Sequence, residues 1–226
     1  MKETPTPLNM PAEELAALLC ARLCHDLVAP VSAINTALEV MEDDSASDMR
    51  EEALKLLHIS AGQAAAKLEF ARLAFGAGTS APGMVETREL KRLVMGAFAS
   101  AKSEIIWKVT ASHLSKRAAR LLLNMTILGV EAALRGGAVH IEAASADRMR
   151  VSANGGLTKL LPAVIAALEG EALENGYDGR SIQPFYTGLI ARTLGGRAEA
   201  RTLTDGVEFV ALTSEGESGV THAQAV

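Results

Sequence analysis

The fold is decided by the stretch Arg22-Leu23-Cys24-His25-Asp26-Leu27-Val28-Ala29-Pro30-Val31-Ser32-Ala33-Ile34. Placed on an α-helix at about 100° per residue, its apolar side chains and those that follow fall within about 60° of one another. This stripe consists of Leu23, Leu27, Ile34, Leu38 and Met41, and is widened by Ala16, Cys20 and Val31. His25 points about 160° away from Leu27. The pattern therefore predicts an amphipathic helix that carries its imidazole on the solvent side.

The residues beside His25 on this open face are small, apart from one cation. Around the helix, Ser32 lies about 20° from the histidine, Ala29 about 40° and Arg22 about 60°. A partner could reach the imidazole without disturbing the core. An exposed histidine on such a helix is more often an ordinary surface residue, and spacing alone leaves that interpretation open.

Pro30 predicts a bend beside the histidine. A proline inside a helix removes one backbone hydrogen bond and costs about 3 kcal/mol. Because tertiary packing must offset that cost, we expect other parts of the protein to hold this segment of the helix.

Composition limits the class of protein. The 226 residues allow one large or two small domains, and 49% of them are hydrophobic whereas only 4% are aromatic. Abundant alanine and leucine favour closely packed helices. The formal net charge is -5 and the sequence has no basic stripe, which argues against nucleic-acid binding.

The cysteines and the N-terminus indicate a reduced, cytoplasmic protein. Cys20 and Cys24 lie one helical turn apart, and we expect them to be small core residues. The pattern Cys-x-x-x-Cys-His lacks a second pair of ligands, so no metal site is expected. Residues Met1 to Met10 are polar and rich in proline, unlike a signal peptide. No uninterrupted apolar run approaches the roughly 18 residues of a membrane span.

Residues 11–78 are predicted to form a helical hairpin. Pro11 suits a helix start, and the polar run 42–47 interrupts the apolar spacing. The second helix carries a heptad seam and ends at Gly76-Ala77-Gly78. The seam consists of Leu54, Leu57, Ala61, Ala64, Leu68, Ala71 and Phe75. Two helices alone cannot cover both apolar stripes, so either two hairpins form a dimeric four-helix bundle or the hairpin packs on its own C-terminal half.

A second domain is predicted over residues 84–213, after a linker at 78–83 that contains glycine, serine and proline. Thr87 and Ser115 are expected to cap its first two helices. Helices are expected at 87–100, 115–134, 160–168 and 181–194, and strands at 104–110, 138–143, 149–153, 197–203 and 207–213. This order predicts a two-layer α/β sandwich, and the whole chain is expected to be of the α+β class.

The pair His25-Asp26 with Pro30 at the fifth position after the histidine resembles the phosphoacceptor segment of bacterial sensor histidine kinases. The second domain resembles the ATP-binding domain of the same kinases. The resemblance implies a hairpin that forms a dimeric bundle and an α/β domain that once served nucleotide binding.

The nucleotide motifs of those kinases are incomplete here. Asn124 matches the first asparagine of their asparagine box, but the asparagine that holds magnesium is replaced by Leu128. The aspartate that accepts from the adenine amino group is replaced by Ala153. Leucine cannot ligate magnesium and alanine cannot accept a hydrogen bond. Residues 174–180 are polar but too irregular to match the glycine-rich lid, so we expect no ATP binding.

The layout of residues 11–213 resembles the ChpT-type histidine phosphotransferases of bacterial phosphorelays. The resemblance implies that His25 takes a phosphoryl group from the receiver domain of a hybrid sensor histidine kinase (CckA-like) and passes it to response regulators (CtrA-like and CpdR-like). It implies a homodimer and no cofactor in the chain itself, because Mg²⁺ would be held by the receiver's carboxylates.

Supporting roles follow for the neighbours of His25. Asp26 is expected to hydrogen-bond the imidazole, and Arg22 to attract phosphoryl oxygens, with Ser32 a weaker candidate. The receiver is expected to dock on Ala29, Ala33 and Glu39 as well as Ser32. Two alternatives remain: an ATP-dependent histidine kinase with unusual nucleotide motifs, and a non-catalytic dimeric scaffold.

Overall fold

Two long helices form the N-terminal hairpin. The computed structural model describes residues 9–76 and 82–215, and the predicted linker lies largely outside them. Helix α1 (Ala12–Glu42) and helix α2 (Arg50–Ala74) are joined by a 3-10 helix (Asp44–Met49). The side chain of Asp43 caps this connection by accepting from the backbone N–H of Ser45 at 2.8 Å. The predicted hairpin is thus confirmed.

Four shorter helices and nine strands follow within residues 82–215. The helices are α3 (Thr87–Ala97), α4 (Lys116–Ala132), α5 (Pro162–Glu169) and α6 (Ile182–Thr193). The strands are β1 (Met84–Glu86), β2 (Glu104–Val109), β3 (His113–Ser115), β4 (Ala133–Arg135), β5 (Ala138–Ala143), β6 (Arg148–Asn154), β7 (Leu157–Thr158), β8 (Arg197–Leu203) and β9 (Gly206–Leu212).

Five of these strands form one sheet in the order β2-β5-β6-β9-β8. Strands β2 and β5 pair in parallel, and the other neighbours pair antiparallel. Apolar residues alternate along each strand, so one face of the sheet packs against the helices. Gly129 lets α4 approach this face closely, because a Cβ there would lie 2.5 Å from Val151 Cγ1. The predicted two-layer sandwich, and with it the α+β class, is confirmed.

Two details of the second domain differ from the sequence prediction. Thr87 does not cap α3, since its hydroxyl donates instead to the carbonyl oxygens of Ala111 and Ser112. Helix α4 begins after its predicted cap Ser115, whose hydroxyl accepts from the N–H of Ala118, but it ends at Ala132 rather than Leu134. It ends early because residues 133–135 pair with β7.

The base of the hairpin packs on the second domain. Phe70 and Ala74 of α2 belong to the same buried core as the α4 leucines. A buried amide strengthens this junction: Asn124 Nδ2 donates to the carbonyls of Ala74 and Arg120, both at 2.7 Å. Gln183 Nε2 of α6 donates in turn to Asn124 Oδ1 at 2.5 Å. The sequence left open whether the hairpin packs on the C-terminal half of its own chain. It does so at the C-terminal end of α2.

The rest of the hairpin leaves apolar side chains exposed. Cys20 and Cys24 are also exposed, so their expected place in the core of the single chain is wrong. Among the described residues, α1 is the one helix that is long and apolar enough to cross a membrane by length and composition. The sequence prediction missed this because it counted uninterrupted apolar residues, and polar residues such as His25 and Asp26 interrupt the run.

Candidate functional site

His25 lies on the solvent side of α1, with 57% of its side chain exposed. Its two ring nitrogens face different groups. Nδ1 lies 3.5 Å from Asp26 Oδ1, and Nε2 lies 3.5 Å from a guanidinium nitrogen of Arg180. Since Asp26 can only accept when ionised, we assign the proton to Nδ1. That tautomer leaves the lone pair of Nε2 available.

Arg22 orients Asp26 rather than facing His25. Its Nε donates to Asp26 Oδ2 at 3.0 Å, and a terminal guanidinium nitrogen lies 2.6 Å from Glu131 Oε1. Only 6% of Arg22 is exposed. Burial lowers the pKa of Arg22, but the carboxylates of Glu131 and Asp26 outweigh it and give a net rise, so the guanidinium stays charged. Arg22 therefore pairs with two carboxylates in this structure, and its expected contact with phosphoryl oxygens stays a prediction.

Glu131, on α4, is a partner that the sequence did not reveal. It lines the pocket beside His25, and burial there raises its pKa, although the cation of Arg22 opposes that shift. The pair Arg22–Glu131 ties α1 to α4 directly behind the His-Asp pair. The second domain thus fixes the orientation of Asp26 through a single arginine.

A lysine replaces the hydrogen bond that Pro30 removes. In a helix the N–H of residue 30 would donate to the carbonyl of Asp26, and proline has no N–H. Lys67 Nζ of α2 donates to this carbonyl oxygen at 2.9 Å instead. Pro30 itself is buried, so packing compensates as expected. The segment of α1 that carries His25 is therefore held by α2.

Arg180 comes from the turn that precedes α6. One oxygen of Asp178, Oδ1, accepts from the backbone N–H groups of Arg180 and Ser181 at 3.0 and 2.7 Å and from the Ser181 hydroxyl at 2.6 Å. The same turn packs on α1, where a Cβ on Gly179 would lie 3.4 Å from the backbone nitrogen of Arg22. The sequence of residues 174–180 was too irregular to match a nucleotide lid, and it indicated no role for Arg180.

A pocket of about 540 Å³ opens beside His25, between α1 and the second domain. Its wall is mostly apolar and includes Leu128, Leu160, Val164, Pro184 and Phe209. Leu128 occupies the place of the magnesium-binding asparagine, while Asn124 and Ala153 are fully buried and do not reach the pocket. Leu128 and Ala153 offer no side-chain oxygen, so the two contacts that these positions make with a magnesium nucleotide in the kinases cannot form here.

The residues predicted for partner docking lie further along α1. Ala29, Ser32 and Glu39 are exposed and Ala33 is half-buried. They lie on the C-terminal side of His25, on the same open face of α1. This surface adjoins the imidazole.

Comparison with known proteins gives consistent results. A family profile described as "Histidine phosphotransferase C-terminal domain" matches residues 87–204. The protein phosphotransferase ChpT of Brucella abortus (strain 2308) is 36% identical over 208 residues, which cover 91% of this chain and 98% of that protein.

Solved structures show the same relationship. A structure described as that of a bacterial phosphotransferase superposes with a TM-score of 0.80 and 32% sequence identity, covering 92% of this chain and 100% of its own. The histidine kinase AdeS of Acinetobacter baumannii aligns over 84% of this chain and 98% of its own, with 10% identity and a TM-score of 0.44. The kinase is too distant to support an argument about function.

Proposed function

The chain belongs to the histidine phosphotransferase family, and from that membership we propose that Nε2 of His25 is the atom that accepts and returns the phosphoryl group. Phosphotransfer within a phosphorelay is the function of this family member. The observation that supports His25 is its geometry: an exposed imidazole whose Nδ1 faces a carboxylate and whose Nε2 faces open space beside a cation.

In the proposed reaction the receiver's aspartyl phosphate is the donor. The lone pair of Nε2 forms the P–N bond as the P–O bond to the receiver breaks, and the receiver's carboxylate leaves with the electron pair. The proton stays on Nδ1, where Asp26 stabilises the positive charge that develops on the ring. Arg22 and Glu131 hold Asp26 in place. In the return step a receiver carboxylate attacks phosphorus and the electron pair goes back to Nε2.

The partners follow from the same proposal. A CckA-like receiver domain would load His25, and CtrA-like or CpdR-like regulators would unload it, each docking on Ala29, Ser32, Ala33 and Glu39. Mg²⁺ would be held by carboxylates of the receiver, since Leu128 stands in this pocket where the kinases place their magnesium-binding asparagine. Receivers of this kind act in the cytoplasm, where we place this protein. We expect small and transient contacts because each partner must be released.

We also propose that two hairpins pair as a four-helix bundle. The support is the exposed apolar surface on α1 and α2, which a second copy would cover. The exposed cysteines Cys20 and Cys24 lie on the same side of α1 as Val31 and Leu38, so a dimer would also cover them. This arrangement accounts for the apolar character of α1 without a membrane.

Transfer in trans tests the function. Wild-type protein mixed with a phosphorylated receiver domain and Mg²⁺ should remove the label from the receiver, whereas His25→Ala should not. Because His25 is exposed, the variant should melt within roughly 5 °C of the wild type, a shift that corresponds to about 1–2 kcal/mol. Neither protein should take label from ATP. Labelling of the wild type by ATP alone would show that the protein is a kinase. A wild type that takes no label from the receiver would contradict the proposal.

A further inference from the structure

We propose that Arg180 is a catalytic residue that holds the phosphoryl oxygens on His25, so that the second domain supplies part of the phosphotransfer site. This inference rests on the proposed role of His25. It assigns a function to the turn that precedes α6, for which the sequence indicated none.

The position of Arg180 is the first reason. Its guanidinium lies 3.5 Å from Nε2, the ring nitrogen that Asp26 does not face. A phosphoryl group on Nε2 would place its oxygens within reach of this guanidinium after a small movement. Phosphoryl transfer depends mainly on placement and on neutralising charge that spreads over three oxygens. A guanidinium suits that task because its planar donors bind two oxygens at once.

The charge of Arg180 is the second reason. Within the described ranges 9–76 and 82–215, no carboxylate oxygen lies within 4.0 Å of its side-chain nitrogens. Arg22, the other arginine beside the histidine, is neutralised by Asp26 and Glu131 and is buried. The carboxylates of Glu131 and Asp178 interact with the charge of Arg180 from beyond ion-pair distance. Arg180 is therefore the arginine at this site that can still form a direct ion pair with an incoming anion.

The third reason is that the backbone of Arg180 is held firmly. Asp178 Oδ1 accepts the N–H of Arg180 itself, and the carbonyl of Asp178 accepts the first N–H of α6 at 3.0 Å. On the other side of the turn, Tyr177 donates its hydroxyl to the carbonyl of Glu171 and packs its ring on Phe185 with centroids 4.9 Å apart. Only the side chain of Arg180 must move when the phosphoryl group arrives.

In the reaction step Arg180 breaks no bond. As the P–O bond to the donor breaks and the P–N bond to Nε2 forms, the guanidinium donates to the equatorial oxygens and keeps all its protons. Asp26 on Nδ1 and Arg180 on the phosphoryl group would then stabilise opposite charges at the two ends of phosphohistidine.

The test separates this chemistry from partner docking by using a small donor, phosphoramidate, which phosphorylates histidine without a receiver domain. The full chain and its variants Arg180→Ala, Arg180→Lys and His25→Gln are incubated with phosphoramidate, and the label is followed by intact mass. Arg88→Ala is the matched control, since Arg88 is exposed on α3 and pairs only with Glu86 among the described residues.

We expect Arg180→Ala to be labelled at least about tenfold more slowly than the wild type, as when one charge-stabilising donor is removed from an active site. Arg180→Lys should recover part of the rate because it keeps the charge, and Arg88→Ala should match the wild type.

With a receiver as donor, Arg180→Ala should lower the maximal rate more than it raises KM. Equal rates for Arg180→Ala and wild type, or equal losses in Arg180→Ala and Arg180→Lys, would overturn the inference. Equal labelling of wild type and His25→Gln would instead refute the role of His25.

Discussion

Asp178 controls the position of Arg180 through hydrogen bonds to a single carboxylate oxygen. The hydroxyl and backbone N–H of Ser181 lower the pKa of Asp178 below its ordinary value, because they stabilise the ionised form. A carboxyl group with a lowered pKa stabilises the fold above its ordinary value of about 3.9, and this contribution is lost as the pH falls through the lower folded value.

We therefore predict that the turn at residues 178–181 loosens in acid. In wild-type protein the amide NMR signals of Arg180 and Ser181 should be protected from exchange at pH 6 and should shift as the pH falls below about 4. In Asp178→Ala both signals should exchange rapidly already at pH 6, whereas Asp178→Asn should keep an acceptor and show no titration. Equal amide protection in wild type and Asp178→Ala would contradict this account.

The sequence predicts some residues of the site but not others. His25, Asp26 and Pro30 lie within six residues, so their spacing places them on one helix and a local motif reveals them. Arg180 approaches His25 from 155 positions away in the chain. Contacts of that separation leave no periodic pattern in one sequence. The comparison with kinase motifs drew attention to residues 174–180, but it found no match to the lid and no role for Arg180.

Among the helices, α1 and α2 are linked by a contact that depends on the proline. Lys67 should stabilise the hairpin because its ammonium satisfies the carbonyl of Asp26 that Pro30 leaves without a helical donor. Lys67→Met should lower the free energy of unfolding by about 1–3 kcal/mol, the range for losing a charged hydrogen bond.

In a Pro30→Ala background the loss from Lys67→Met should be smaller, since the N–H of residue 30 can then donate to Asp26. A double-mutant cycle by urea unfolding should show a coupling of at least about 0.5 kcal/mol between the two positions. Lys55→Met is the control on the same helix, because within the described part of the chain Lys55 pairs only with the exposed residues Glu51 and Glu52. Additive effects of the two substitutions would show that Lys67 does not replace the missing bond.

The regular elements were predictable because each is long enough to show its period. The helices over 12–42 and 50–74 and the hairpin of β8 and β9 follow the sequence pattern closely. Strands β1, β3, β4 and β7 span only two or three residues, which is too short for an alternating pattern. Their pairing depends on chain segments that meet only in the folded domain.

The whole molecule presents an apolar surface that a single chain does not cover. Leu68 is 49% exposed on α2, and α1 adds the exposed side chains of Val28, Val31 and Leu38. Part of the predicted heptad seam, notably Leu54 and Leu68, faces solvent in the single chain. Both observations favour assembly with a second copy of the chain.

We predict a homodimer at tens of micromolar that Leu68→Glu converts to a monomer, because the substitution places an unpaired carboxylate in the apolar interface. Leu57→Glu should have the same effect, but Leu57 is half-buried within the hairpin, so Leu68 gives the cleaner test. Leu68→Met should remain dimeric and is the matched control. Light scattering gives the mass directly, and a monomeric wild type would exclude the four-helix bundle.

The buried amide of Asn124 has a consequence for the evolutionary freedom of the second domain. Any change that turned this side chain toward the pocket would have to release it from the carbonyls of Ala74 and Arg120 and from Gln183. Each buried hydrogen bond lost in this way costs about 1–3 kcal/mol. Variants that free Asn124 would thus be destabilised before any new chemistry appeared, so selection for a stable fold keeps Asn124 in its structural role.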